Sequence, residues 1–338
     1  MLTPTRRDFL GLSLAALASL SGFARAAPAR LRAGTYFPWS TLADNVWVTV
    51  SPTQGGNVIV AKARDGCLVI DSKFAGMGPT LRREAADLAG PVRALLNTHH
   101  HGDHTGGNVA FADPNIDTLA HPKARARIRE AHQQYLAQLR GAMRQLGPDL
   151  DPAVQAELDA LLLREDRLTP QDWTPRKDAP LPDSGRGETD DLELLPGLNI
   201  RLGHYGPGHT DNDMTVWLCE ADIVHTGDLC FHNLHPFFDA SAGVTARGWI
   251  TSLKAVLQRC TRDTKVVPGH GPVGDRAIIE KQIAYLEALI EAVAKEIRSG
   301  KTKEDISAMS WPFMEGLGFE QVRSRAINAV YDELAGSP

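Results

Sequence analysis

Apolar and polar residues alternate over Val46-Trp47-Val48-Thr49-Val50, the period of a strand with one face buried. Asn57-Val58-Ile59-Val60-Ala61 follows a Gly-Gly pair. Cys67-Leu68-Val69-Ile70-Asp71 is a short apolar run after Asp65-Gly66, a hairpin signal. From 79 to 88 the apolar positions Leu81, Ala85 and Leu88 have helical spacing. Another apolar strand, 92–96, runs directly into Asn97-Thr98-His99. Three strands, a helix and a strand predict an α/β domain, and sites in such layers sit at the carboxyl ends of strands.

The pattern then changes. Residues 121–167 carry charged helical runs at 123–146 and 152–164, and 168–191 reads as a loop rich in Pro, Asp and Gly. The span 119–191 therefore reads as a helical insertion, either a packing flap or a lid over a pocket. Strand signals return at 198–202, 214–218 and 222–225, and a helix is expected at 249–258. Lys265-Val266-Val267-Pro268 is a strand ending in Gly269-His270-Gly271. A long amphipathic helix covers 276–298, and the tail to 334 reads as mostly helical, a C-terminal extension of about 276–335. Sheet and helix repeated in two halves predict two packed sheets with helices on both outer faces.

The N-terminus breaks this rhythm. Thr5-Arg6-Arg7-Asp8-Phe9-Leu10 precedes an apolar run from Gly11 to Gly22 and then Ala24-Arg25-Ala26. A charged start, a short apolar stretch and a small-x-small end describe a secretory signal over 1–26, and the paired arginines are of the twin-arginine export type. The run falls short of the roughly 20 residues of a bilayer span, so no integral membrane segment is expected after cleavage. The expected location is the periplasm. Cleavage after Ala26 removes three arginines and one aspartate and takes the formal charge from −5 to −7. The mature domain would be 27–338.

Composition adds exclusions. With 43% hydrophobic and 23% charged residues the chain has the balance of an ordinary globular protein, and its mild acidity without a basic patch argues against nucleic-acid binding. Cys67, Cys219, Cys230 and Cys260 form no C-x-x-C pair, which argues against a zinc-thiolate knuckle. In an oxidising compartment they can be small buried hydrophobes or disulfide partners.

The chemistry concentrates in His99-His100-His101-Gly102-Asp103-His104. Imidazole and carboxylate suit zinc. In an extended segment His99 and His101 point the same way, and Gly102 permits a turn that aims Asp103 and His104 at a neighbouring position. Later come Gly206-Pro207-Gly208-His209-Thr210, His225-Thr226-Gly227-Asp228 and Pro268-Gly269-His270-Gly271, each after an apolar strand and beside glycine. His100 would point away from a metal. His204, His225, His232 and His235 read as solvated or internally satisfied, and Asn97 and Thr98 as hydrogen-bonding the motif loop.

These four segments, in this order, resemble the metallo-β-lactamase superfamily from about 46 to about 274, apart from the insertion. The resemblance implies a four-layer αββα sandwich and two zinc ions. His99, His101 and His209 would hold one; Asp103, His104 and His270 the other; Asp228 would bridge them. It also implies a hydroxide between the metals that attacks an ester, thioester, lactone or lactam carbonyl of a small-molecule substrate, with Asp103 and Asp228 as catalytic carboxylates. Dedicated β-lactamases of the family usually have Cys or Ser where Asp228 stands, whereas glyoxalase II-like and general hydrolases have Asp. Export favours the β-lactamase alternative, since the antibiotic is met in the periplasm. Persulfide dioxygenases, with one iron held by two His and one Asp, are an oxidoreductase alternative, and a metal-binding protein without catalysis is a third. Substrate and oligomeric state are left open by the sequence.

Overall fold

The computed structural model describes residues 35–131, 170–182 and 187–336. The leader read at 1–26, the helical run at 152–164 and most of that at 123–146 lie outside the described residues.

The first half builds a seven-stranded sheet in the order β1 to β7: β1 (Trp39–Ala43), β2 (Val46–Thr49), β3 (Val58–Lys62), β4 (Cys67–Ile70), β5 (Val92–Leu96), β6 (Asp117–Ala120) and β7 (Lys177–Asp178). The pairing is antiparallel through β4 and parallel from β4 to β7. Helix α1 (Gly78–Ala89) makes the crossover from β4 to β5. A single helical turn, α2 (Gly102–Thr105), follows β5.

The second half builds a six-stranded sheet. Its path is β13 (Lys265–His270), β12 (Ile223–Phe231), β11 (Thr215–Leu218), β10 (Leu198–His204) and β8 (Gly187–Glu188), with β9 (Leu192–Leu195) also on β10. Helices α3 (Ala246–Arg259) and α4 (Arg276–Arg298) flank β13 in sequence, and α5 (Lys303–Ser307) and α6 (Arg323–Ala335) end the described chain.

The alternation along β3 sorts its residues between two cores. Ile59 and Ala61 join Ile200, Leu202 and Val216 between the sheets. Val58 and Val60 face outward, where Leu81, Ala85 and Ala89 of α1 cover them. On the other side, α3, α4 and α6 pack Trp249, Leu253, Leu286, Leu289 and Ile327 against Val224 and Val266. The result is helix, sheet, sheet, helix, as the pattern predicts.

Some strands differ from expectation. β12 runs nine residues, not four, because it is buried on both faces and its polar residues His225, Thr226 and Asp228 interrupt the apolar signal. Within 119–191 the described residues include a helix at 122–131, the end of β6 and the two-residue strands β7 and β8. Two-residue edge strands have no period to read. All four cysteines are free thiols. Among the described residues no helix is long and apolar enough to cross a membrane.

Candidate metal centre

The motif residues converge where the carboxyl ends of β5, β10 and β13 meet, beside the middle of β12. His99 and His101 follow β5 and His101 keeps an extended backbone, φ −66° and ψ 147°. Asp103 and His104 lie on α2, His209 follows β10, Asp228 lies within β12, and His270 ends β13. The donor atoms of His99, His101, His209 and Asp228 lie within 4.8 Å of one another, and so do those of Asp103, His104 and His270.

Asp228 stands between the two groups. Its Oδ2 is 3.4 Å from His209 Nε2 and 3.8 Å from His99 Nε2, while its Oδ1 is 3.1 Å from His104 Nε2 and 3.5 Å from His270 Nε2. Asp103 Oδ2 is 3.1 Å from His270 Nε2 and 3.7 Å from His104 Nε2.

The partners on the far side of each ring determine where the protons sit. His209 Nδ1–H donates to the Phe237 carbonyl oxygen at 2.8 Å, which leaves the Nε2 lone pair facing inward. His101 Nε2–H donates to Asp239 Oδ2 at 3.0 Å, so its Nδ1 lone pair faces His209 Nε2, also at 3.0 Å. The Thr98 hydroxyl donates to Asp71 Oδ2 and therefore accepts from His99 Nδ1, leaving His99 Nε2 bare; that buried atom has no hydrogen-bond partner in the protein. His104 Nδ1 donates to the same Asp71 oxygen at 2.7 Å. Two neutral imidazoles facing at 3.0 Å repel unless a proton or a metal ion lies between them. This set of nitrogens and carboxylates fits a divalent metal such as zinc.

The electrostatics agree. Burial lowers His209 to about 3 and His99 well below its usual value, keeping both neutral as ligands require. Burial also opposes charge on His270 and His104, but the carboxylates of Asp228 and Asp103 outweigh it, pushing His270 up to about 9 and His104 well above its ordinary value. The region around these carboxylates favours positive charge.

All seven residues proposed from the sequence come together here. His100 turns away, as expected: its Nδ1 accepts from Asn212 Nδ2 at 3.1 Å and its Nε2 lies 3.6 Å from Asp239. Asn97 Nδ2 donates to the His104 carbonyl and Thr98 is bound to Asp71, so both act on the motif loop. His204, His225, His232 and His235 each have a protein hydrogen-bond partner: the carbonyls of Asp213, Asn57 and Pro272, and the Tyr285 hydroxyl. Sequence reasoning missed the supporting roles of Asp71 and Asp239. Asp71 carried a faint signal as a polar residue at the end of an apolar strand; Asp239, in the loop after β12, carried none.

A two-sheet α/β fold with a His/Asp cluster at its strand ends defines a class of metal-dependent proteins. The sequence model of the metallo-beta-lactamase superfamily matches residues 52–295, and the chain belongs to that superfamily. It is 36% identical over 82 residues to a metallo-beta-lactamase type 2 of Bacillus cereus, covering 24% of this chain and 32% of that protein. It is 27% identical over 125 residues to the enzyme of the same name from Bacteroides fragilis, covering 37% and 49%. The matches thus span about a third to a half of these relatives' length. Among solved structures, a metallo-beta-lactamase from Erythrobacter litoralis superposes with a TM-score of 0.53 at 22% identity, covering 76% of this chain and 99% of that one. A Pseudomonas aeruginosa metallo-beta-lactamase in a mono-zinc form gives 0.52 at 20% identity, covering 75% and 95%. At such identities the likeness shows the fold.

Proposed function

We propose that this protein is a hydrolase that binds two zinc ions and cleaves an ester, thioester, lactone or lactam carbonyl. The observation that carries the reading is the Asp228 carboxylate, with one oxygen toward each donor group. His99, His101 and His209 would hold the first ion, Asp103, His104 and His270 the second, and Asp228 both. Bound zinc supplies Lewis-acid polarisation of a carbonyl and a water acidified toward neutral pH.

The protein's own groups divide the remaining work. Asp239 and the Phe237 carbonyl hold His101 and His209 in the tautomers that present bare nitrogens. Asp228, whose side chain is 4% exposed, is closed to solvent, whereas Asp103 is 22% exposed. Asp103 is therefore the carboxylate placed to accept a hydrogen bond from an entering water and to orient it.

The test is metal quantification joined to a hydrolysis panel of esters, thioesters, lactones and β-lactams, the last included because of the names of the relatives. Wild type is expected to hold two zinc ions per chain and to turn over at least one class. Asp228→Ala and His101→Ala should lose metal and fall to background rates. One iron per chain with no zinc, or full activity in both variants, would overturn the reading.

We also propose that residues 1–26 direct twin-arginine export to the periplasm, on the strength of Arg6-Arg7 and the short apolar run that follows. Replacing both arginines by lysine should trap the precursor inside the cell. Equal appearance of the variant in the periplasmic fraction would refute the assignment.

A further inference from the structure

The centre opens to solvent on one side. His101 is 19% exposed and His270 12%, while His99, His104 and His209 are closed. Three aromatic rings stand around that opening. Phe237 packs edge-on to His101 with centroids 5.6 Å apart. Phe319 packs on His270 at 5.5 Å. Phe74, 42% exposed, lies beside Gly55, which also abuts Asp103.

Phe319 comes from the tail, beyond residue 295 where the superfamily match ends. Its segment is firmly seated. Gly318 N donates to the Asn233 carbonyl and His235 N to the Gly318 carbonyl, both at 2.9 Å, and Glu320 Oε2 lies 3.2 Å from His235 Nε2. The same tail continues into α6, which carries Arg325. The Arg325 guanidinium sits 4.6 Å above the Phe237 ring, on the residue that flanks His101. Arg325 is exposed, and among the described residues no carboxylate forms an ion pair with it. A guanidinium stacked on an aromatic face keeps its N–H fork free for a planar anion.

We infer that the C-terminal extension builds a substrate subsite that selects acyl compounds bearing a carboxylate and an apolar body, with Arg325 binding the carboxylate and Phe74, Phe237 and Phe319 the apolar part. The inference rests on the hydrolase reading for its kinetic arm and stands apart from it in its binding arm. In the kinetic arm, zinc-loaded wild type, Arg325→Ala and Arg325→Lys are given the 4-nitrophenyl half-ester of a dicarboxylic acid and its methyl diester, which share the scissile bond. Wild type should favour the half-ester, and Arg325→Ala should cut that preference about ten-fold, through KM. Arg325→Lys should retain part of it, since it keeps the charge without the fork. In the binding arm, calorimetry compares 3-phenylpropanoate with 3-phenylpropanamide on the same zinc-loaded proteins. The attraction of zinc for anions is common to the variants, so a carboxylate-specific loss of about ten-fold in Arg325→Ala isolates the guanidinium. That loss without cleavage of either ester would support the subsite and count against hydrolysis. An unchanged preference and unchanged binding in Arg325→Ala would overturn the subsite and leave the hydrolase reading standing.

Discussion

Asp71 holds together the first half of the site. It is fully buried, takes a positive φ of 66°, and accepts hydrogen bonds from Thr98 N, Thr98 Oγ1 and His104 Nδ1 at 2.7–2.8 Å. Through Thr98 it also orients His99. One carboxylate thus fixes a histidine of each donor group. Asp71→Asn keeps the shape but places an amide where two acceptor oxygens are needed. Removing such a partner of a metal-binding histidine typically weakens metal affinity about 10–100-fold. The variant is expected to show that loss in a zinc titration against a competing chelator, most strongly at the site of His104. Wild-type affinity at both sites would show that the hydrogen bonds do not orient the ligands. The seven candidate ligands were legible in the sequence because each sits in a short His/Asp/Gly motif. The role of Asp71, faintly marked by its place at the end of an apolar strand, was not legible, because the groups it serves are 27 and 33 residues away and only the fold brings them to it.

At the scale of elements, legibility followed burial. β3, β4 and β5 are largely covered on both faces and read as short apolar runs, and α1 and α4 carry apolar stripes at helical spacing, so each was located. The bounds of α4 coincide with the expected 276–298. β1, β7 and β8 are edge strands defined by their neighbours and not by their own pattern. The glycines of the motifs were legible as turn signals, but one has a different reason. A Cβ at Gly269 would stand 1.8 Å from Asp228 Oδ1 and 2.8 Å from its backbone nitrogen, so β13 approaches β12 at the Asp228 carboxylate as closely as only glycine allows. The role of the tail was legible only as helix. That Phe319 reaches His270 depends on the turn at 315–319, where Phe319 itself adopts a left-handed φ of 60°.

At the scale of the whole molecule, the candidate ligands come from both sheets. Four follow β5 of the first sheet, and three belong to the second. The sheets are tied at the same end by protein bonds: Asn57 N donates to the Gly269 carbonyl at 2.7 Å, Asn57 Nδ2 to the carbonyls of Pro268 and Gly271 at 2.8 Å, and Met214 N to the Thr98 carbonyl at 2.8 Å. Bound metal would add a second set of ties across the same seam, and it would bind the folded chain far better than the unfolded one. At free zinc 100 times the dissociation constant, each site then adds about 2.7 kcal/mol of stability. Two sites correspond to a fall in Tm of about 10 °C on chelation for a domain of this size class. Thermal unfolding with and without a chelator, followed by zinc re-addition, measures it. The fall should reverse with zinc and be small in Asp228→Ala, which lacks the group facing both donor sets. A chelator-insensitive Tm in metal-loaded wild type would mean that the hydrogen bonds around Asn57 and Thr98 alone hold the seam, and that the centre is a passenger on a fold stable without it.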